Sequence, residues 1–167
     1  GSGWTCESAQ ALQQFAQRWH LPVCNAFRFQ DCFDNHHPLY AGDVGLGIDA
    51  ALARRIQASD LLLAIGTRLG DATTSGYTLL KPPRLLQKLV HIHASAEELN
   101  RVYQADLVFN TTMNAAARAL EVLTAPPELP WADWTAAVHA DYETNLRPQA
   151  LPGAIDMPAV VASLQRH

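Results

Sequence analysis

The hydrophobic positions along the chain alternate between two periods. Over residues 6–19, Leu12, Phe15, Ala16 and Trp19 recur at helical spacing, with Thr5 placed as an N-cap and Glu7 in the first turn. Residues 21–27 read as a short strand, and 28–47 as a long loop rich in Asp, His, Asn and Gly. A helix over about 49–58 carries Leu52 and Ile56 on one face. Residues 61–65 are continuously apolar and end on Gly66, the habit of a parallel strand covered on both faces. After a second loop, 89–93 reads as another strand, stopped by Ser95-x-x-Glu98, a capping-box pattern that starts a short helix. A strand over 107–109 and a helix over 114–123 follow.

Strand and helix thus alternate with short links, which predicts an α/β domain: a doubly wound, Rossmann-like parallel sheet with helices on both faces. The composition changes at Pro126, Pro127 and Pro130, the start of a linker over 125–154. That linker holds an amphipathic helix, 131–145, bearing Trp134 and Val138, whose apolar surface is expected to need neighbours. A last helix is expected over 157–165. The tail is too short to form a domain by itself.

With 167 residues the chain suffices for one domain. Hydrophobic residues make up 49% and charged ones 17%, which excludes disorder and a coiled coil. The net charge of −4 carries no basic stripe, so nucleic acid is not an expected partner. No apolar run approaches ~20 residues, so no membrane span is expected. The first residues lack the charged start and apolar stretch of a signal peptide. Cys6, Cys24 and Cys32 have neither the count nor the spacing of a disulfide framework or a zinc site. They fit a reduced, cytoplasmic protein with mostly buried thiols.

In open α/β sheets, ligands sit beyond the carboxyl ends of the strands, where loops and helix N-termini converge. Gly1-Ser2-Gly3 would let a backbone approach a phosphate. Gly66-Thr67-Arg68 offers a tight passage and a guanidinium for a phosphate or carboxylate, or simply a surface ion pair. The segment 42–47, with Gly42, Gly45 and Gly47, is either a binding loop or a series of turns leading into a helix. His36-His37 and His91-x-His93 offer short spacings for a metal, yet an ion needs three or four ligands, and hydrogen-bonded structural histidines explain them equally. Asp43, Asp71 and Asp106 are isolated carboxylates, and no nucleophile elbow or activated cysteine is present. No catalytic residue and no metal ligand is assigned.

Taken together, the loops resemble the central domain of thiamine-diphosphate-dependent enzymes of the acetolactate synthase, pyruvate oxidase and benzoylformate decarboxylase group. Gly1-Ser2-Gly3 resembles the glycine loop closing that family's first strand, and Leu21-Pro22-Val23 the start of its second. His37-Pro38-Leu39-Tyr40-Ala41-Gly42 matches the family's His-Pro-Leu-x-x-Gly, with Gly45 and Gly47 following at altered spacing. Ala58-Ser59-Asp60-Leu61-Leu62-Leu63-Ala64-Ile65-Gly66-Thr67-Arg68 matches its Ala-Asp-Leu-Leu-Leu-x-x-Gly-x-Arg, continued by Asp71 and Thr74. The segment from Val90 to Leu99 is similar to Ile-His-Ile-Asp-Ile-Asp-Pro-x-Glu-Ile. The resemblance covers residues 1–124.

The resemblance implies a six-stranded parallel sheet, here lacking its first strand, so that at most five strands are expected. It implies flanking pyrimidine- and diphosphate-binding domains, with 155–167 as the start of the latter, in a homodimer or homotetramer. Thiamine diphosphate and magnesium would bind the parent enzyme and not this segment, because Gly42-Asp43-Val44 and Gly70-Asp71-Ala72 lack the final glycine of the family's Gly-Asp-Gly. Some members hold FAD or ADP in this domain. The cofactor-facing positions carried over are Gly1, Gly3, Gly66, Arg68, His93 and Thr112. Where flavin members carry acidic residues, this chain has His93, Ser95 and Thr112, which implies a vestigial nucleotide site. The expected role is a non-catalytic central domain of an enzyme acting on 2-oxo acids. The alternative is a free-standing nucleotide- or dinucleotide-binding domain that takes FAD, NAD or ADP by itself. A sirtuin-like deacylase would need two Cys-x-x-Cys pairs that three scattered cysteines cannot supply.

Overall fold

The structure is a computed structural model that describes residues 3–148, 152–153 and 156–164. Helix α1 (Cys6–Trp19) begins where Thr5 is extended and its hydroxyl accepts from the Ser8 N–H at 3.2 Å. The Ser8 hydroxyl in turn accepts from the Thr5 N–H at 2.9 Å, so the capping box is closed by a serine. His20 ends the helix in the left-handed region.

Strand β1 (Val23–Ala26) pairs in parallel with β2 (Tyr40–Val44), placing Asn25 opposite Asp43. The segment 28–47 is therefore not the continuous loop its composition suggests. Gly42 and Asp43 disfavour a strand, yet Tyr40, Ala41, Gly42 and Val44 are all buried, and packing overrides propensity. Helix α2 (Ala50–Ala58) starts on Asp49, whose Oδ1 accepts from the Ala51 and Leu52 N–H groups at 2.9 and 3.1 Å.

A second parallel sheet holds β3 (Leu61–Ile65), β4 (Lys88–His93) and β5 (Leu107–Asn110), with β4 in the centre. The five strands described pair only in parallel, within these two sheets. The β3–β4 crossover contains no helix. It is packed by buried Leu69, Leu79 and Leu80 and by Thr74, whose hydroxyl donates to the Gly70 carbonyl at 2.9 Å. The helix expected after Ser95 is one 3-10 turn, Ala96–Glu98, without a side-chain cap. The Ser95 N–H donates instead to His93 Nδ1 at 3.0 Å.

The alternation along β3 and β4 divides the apolar run between two cores. Leu62, Ala64 and Leu89 join Leu52, Tyr103 and Val138 on one face. Leu63, Ile65, Val90 and Ile92 meet Met113 and Ala116 on the other, where α3 (Met113–Glu121) lies with α1 against it. The α/β expectation, parallel strands with helices on both sides, is met. Only β5 departs, since Leu107, Val108 and Phe109 are exposed.

Helix α4 (Ala132–Asn145) is anchored to the domain along its length. Trp131 Nε1 donates to the Trp19 carbonyl at 2.8 Å, the Thr135 hydroxyl to the His20 carbonyl at 2.9 Å, and Arg55 Nε to Asp141 Oδ2 at 2.8 Å. Trp134 packs on the larger core, so these tryptophans find their neighbours within the chain. Helix α5 (Met157–Leu164) buries none of its residues. Since Val138 is enclosed, Val138→Ala should lower stability in urea unfolding by about 1–3 kcal/mol, whereas fully exposed Leu86→Ala should change it by less than about 0.5 kcal/mol.

Candidate functional site

The carboxyl ends of β3, β4 and β5 gather most of the positions singled out in the sequence. Gly66 follows β3 with φ +68°, a left-handed conformation that glycine adopts freely, and its N–H donates to the Ile92 carbonyl at 2.8 Å. Gly3, with φ +92°, and Gly66 both face the side chain of Met113, the residue after Thr112. A Cβ on Gly66 would lie 2.5 Å from Met113 Sδ and 3.2 Å from Trp4 Nε1. The space above this glycine is therefore filled by a thioether and an indole, both belonging to the small core under α3.

The remaining positions are occupied by local bonding. The Thr112 hydroxyl accepts from the Ala115 N–H at 3.3 Å and caps α3. His93 is turned back onto its own loop, with Nδ1 accepting from Ser95, while Asn110 Nδ2 donates to the His93 and Ala94 carbonyls, each at 3.0 Å. Arg68 is exposed and makes no ion pair among the described residues. Gly1 lies outside the described residues. The structure thus brings Gly3, Gly66 and Thr112 around Met113 and leaves Arg68 free. Met113 and Trp4 are the residues that sequence reasoning missed. The available signal was their bulk directly beside Thr112 and Gly3, where a phosphate would need room.

The rings of His37, His91 and His93 are held by hydrogen bonds within the fold. His91 is 2% exposed, and its Nε2 meets the Thr67 carbonyl at 2.8 Å, tying β4 to the loop that carries Arg68. Burial lowers its pKa from the ordinary imidazole value, and its Nδ1 has no partner. His37 Nδ1 accepts from the Leu39 N–H at 3.1 Å, and the His36 N–H donates to Asp34 at 2.9 Å. Among the described residues no group of three or more His, Cys, Asp or Glu side chains could hold a metal ion.

Of the three carboxylates, Asp106 has partners after all. It accepts from Lys88 Nζ and from the Leu89 N–H, both at 2.9 Å, and that backbone bond and the ammonium hold its carboxyl below the usual range. Cys6 and Cys24 are exposed and Cys32 is partly buried, which corrects the expectation of mostly buried thiols; all three are free. The segment 42–47 is the end of β2 and a turn into α2.

Parallel sheets with helices on both sides, and with glycines and helix N-termini at their carboxyl ends, place the chain in the class of open α/β domains. Within that class, residues 1–120 match the family described as the thiamine pyrophosphate enzyme, central domain, and the chain belongs to it. It is 28% identical over 151 residues to the acetolactate synthase of Mycobacterium avium, covering 86% of this chain and 24% of that protein. It is 32% identical over 79 residues to a 3D-(3,5/4)-trihydroxycyclohexane-1,2-dione hydrolase of Clostridium perfringens, covering 47% of this chain and 12% of that protein. To the sulfoacetaldehyde acetyltransferase of Roseovarius nubinhibens it is 38% identical over 68 residues, 40% of this chain and 11% of that protein. The chain spans a quarter or less of the length of these relatives. Among the described residues no helix is long and apolar enough to cross a membrane.

Two tests follow from this packing. Gly66→Ala should cost about 2–4 kcal/mol, the sum of a left-handed alanine and an overpacked contact. In a double-mutant cycle by urea unfolding, Met113→Ala should couple to it by more than about 0.5 kcal/mol. The second test concerns pH. The folded state keeps His91 neutral, so its contribution is complete above the unfolded imidazole value of about 6.5 and is lost as pH falls below it. Urea midpoints at pH 7.5 and 5.5 should converge in His91→Phe relative to the unmodified chain.

Proposed function

We propose that this chain is a non-catalytic central domain of a thiamine-diphosphate-dependent, acetolactate-synthase-like enzyme acting on 2-oxo acids, with a vestigial FAD or ADP site. The observation that carries this reading is Met113 Sδ and Trp4 Nε1 filling the space over Gly66. A phosphate must approach backbone N–H groups at the end of a strand, and a buried thioether there excludes it. His93 and Thr112 are spent on a loop and a helix cap, so neither is free to grip a ribose. The residues present do not fit a nucleotide.

The family's cofactor, thiamine diphosphate, needs a magnesium-holding acidic loop. Asp43 belongs to a paired strand and Asp71 to a turn after β3, and neither belongs to a group of three or more possible ligands among the described residues. In this reading the activating carboxylate and the magnesium site belong to flanking domains of the parent enzyme, a homodimer or homotetramer in the cytoplasm. In that assembly this domain contributes surface and spacing. The exposed apolar residues of β5 and α5 suit contact with such neighbours.

The alternative, an autonomous nucleotide-binding domain, draws on the exposed Arg68. Titration of the purified chain with FAD, NAD and ADP, followed by calorimetry, separates the two. The proposed role predicts no saturable binding up to millimolar ligand, and no turnover of pyruvate with thiamine diphosphate and magnesium present. Yellow protein or a micromolar isotherm would establish the alternative, and turnover would overturn both.

A further inference from the structure

His91 is a buried titratable group on the central strand β4 that has no part in the proposed function. Its Nε2 meets the Thr67 carbonyl at 2.8 Å. A carbonyl only accepts, so Nε2 carries the proton and Nδ1 is a bare acceptor. That Nδ1 is shut off from solvent and has no hydrogen-bond partner. Alternation along β4 puts the ring on the face of Leu89, where Leu69, Leu79 and Leu80 of the β3–β4 crossover pack. The crossover reaches the ring itself through Thr67. It contains no helix, and Leu69, Ser75 and Tyr77 sit in the left-handed region, which residues with a side chain adopt at a cost. Packing and local backbone bonds hold it, among them Gly76 N–H to the Asp71 carbonyl at 2.8 Å and Leu79 N–H to the Thr74 carbonyl at 3.0 Å.

We propose that His91 is a proton-operated latch: a proton taken up at Nδ1 releases the β3–β4 crossover as a local opening, while the sheet stays folded. The neutral ring leaves one acceptor unpaired. An imidazolium in the same place adds a charge and an N–H without an acceptor, both out of reach of water. Protonation keeps the bond from Nε2 to Thr67, so relief comes only when water reaches Nδ1. On either side of β4 the ladders to β3 and β5 are complete, whereas the crossover has no ladder and is the weaker cover. Burial is the main influence against the charged ring, the Thr67 carbonyl favours it, His93 on the same strand opposes it, and Glu98 favours it. Glu98 is already engaged by Arg101 at 3.0 Å. The strands β3 and β5 carry no titratable side chain. Arg68 and Asp71 of the crossover are exposed, and the hydroxyl of buried Tyr103 donates to the Leu80 carbonyl at 2.9 Å.

The test is native-state hydrogen exchange of the purified chain by NMR at pH 7.5 and 5.5, corrected for the intrinsic pH dependence of exchange. The Gly76 and Leu79 amides should lose protection several-fold at pH 5.5, with a ceiling of about tenfold set by an ordinary imidazole value of about 6.5. At both pH values they should be less protected than the amides of the β3–β4 ladder, and in His91→Phe the loss should vanish. No loss at pH 5.5, an equal loss in His91→Phe, or protection matching that of the ladder would overturn the proposal. If that variant fails to fold, the His91 ring protons of the unmodified chain decide it. A titration midpoint below the ordinary value of about 6.5 supports the latch, and one at or above it refutes it.

Discussion

Burial of the β3–β4 pair on both faces is the constraint from which the rest of the structure follows. Parallel strands whose side chains are apolar on both sides cannot face water, so each side requires its own cover. One is provided by α3 with α1 laid on it, through Met113 and Ala116. On the other, Leu52 of α2 and Val138 of α4 meet Ala64 and Leu89. Because Met113 both opens α3 and belongs to this packing, its side chain ends over Gly66. The same interaction that closes the core also fills the space over Gly66 at the carboxyl end of the sheet.

Under the proposed function, that coupling is the reason a domain can keep the glycines of a ligand-binding fold without presenting a ligand site. Gly66 retains its left-handed backbone because the chain must turn sharply after β3, whether or not a phosphate lies beyond it. His91 serves the same turn from the neighbouring strand, through the Thr67 carbonyl. The glycine is preserved by the turn, and the space above it is taken by a core side chain.

Much of this fold is legible in the sequence because periodicity reports burial. Leu61–Ile65 reads as a strand covered twice, and the structure divides its side chains between two cores. Thr5 and the spacing of Phe15 and Ala16 similarly mark α1. Strand β2 is hidden, because Tyr40-Ala41-Gly42-Asp43-Val44 has little intrinsic strand preference and is held by pairing with β1 and by Tyr142. The capping-box pattern at Ser95 misleads, since His93 captures the Ser95 N–H and only a single 3-10 turn forms. At the candidate site, motif spacing located the glycines but not what stands above them. That Trp4 and Met113, more than a hundred positions apart, share one small core has no local signature.

The central claim is that Met113 and Trp4 together fill the carboxyl end of the sheet. It is tested most directly by nuclear Overhauser contacts between the Met113 methyl group and the Trp4 indole in the purified chain, with and without ADP. Strong cross-peaks that do not change when ADP is added are the predicted result. Their absence, or their loss as ADP is added, would contradict it.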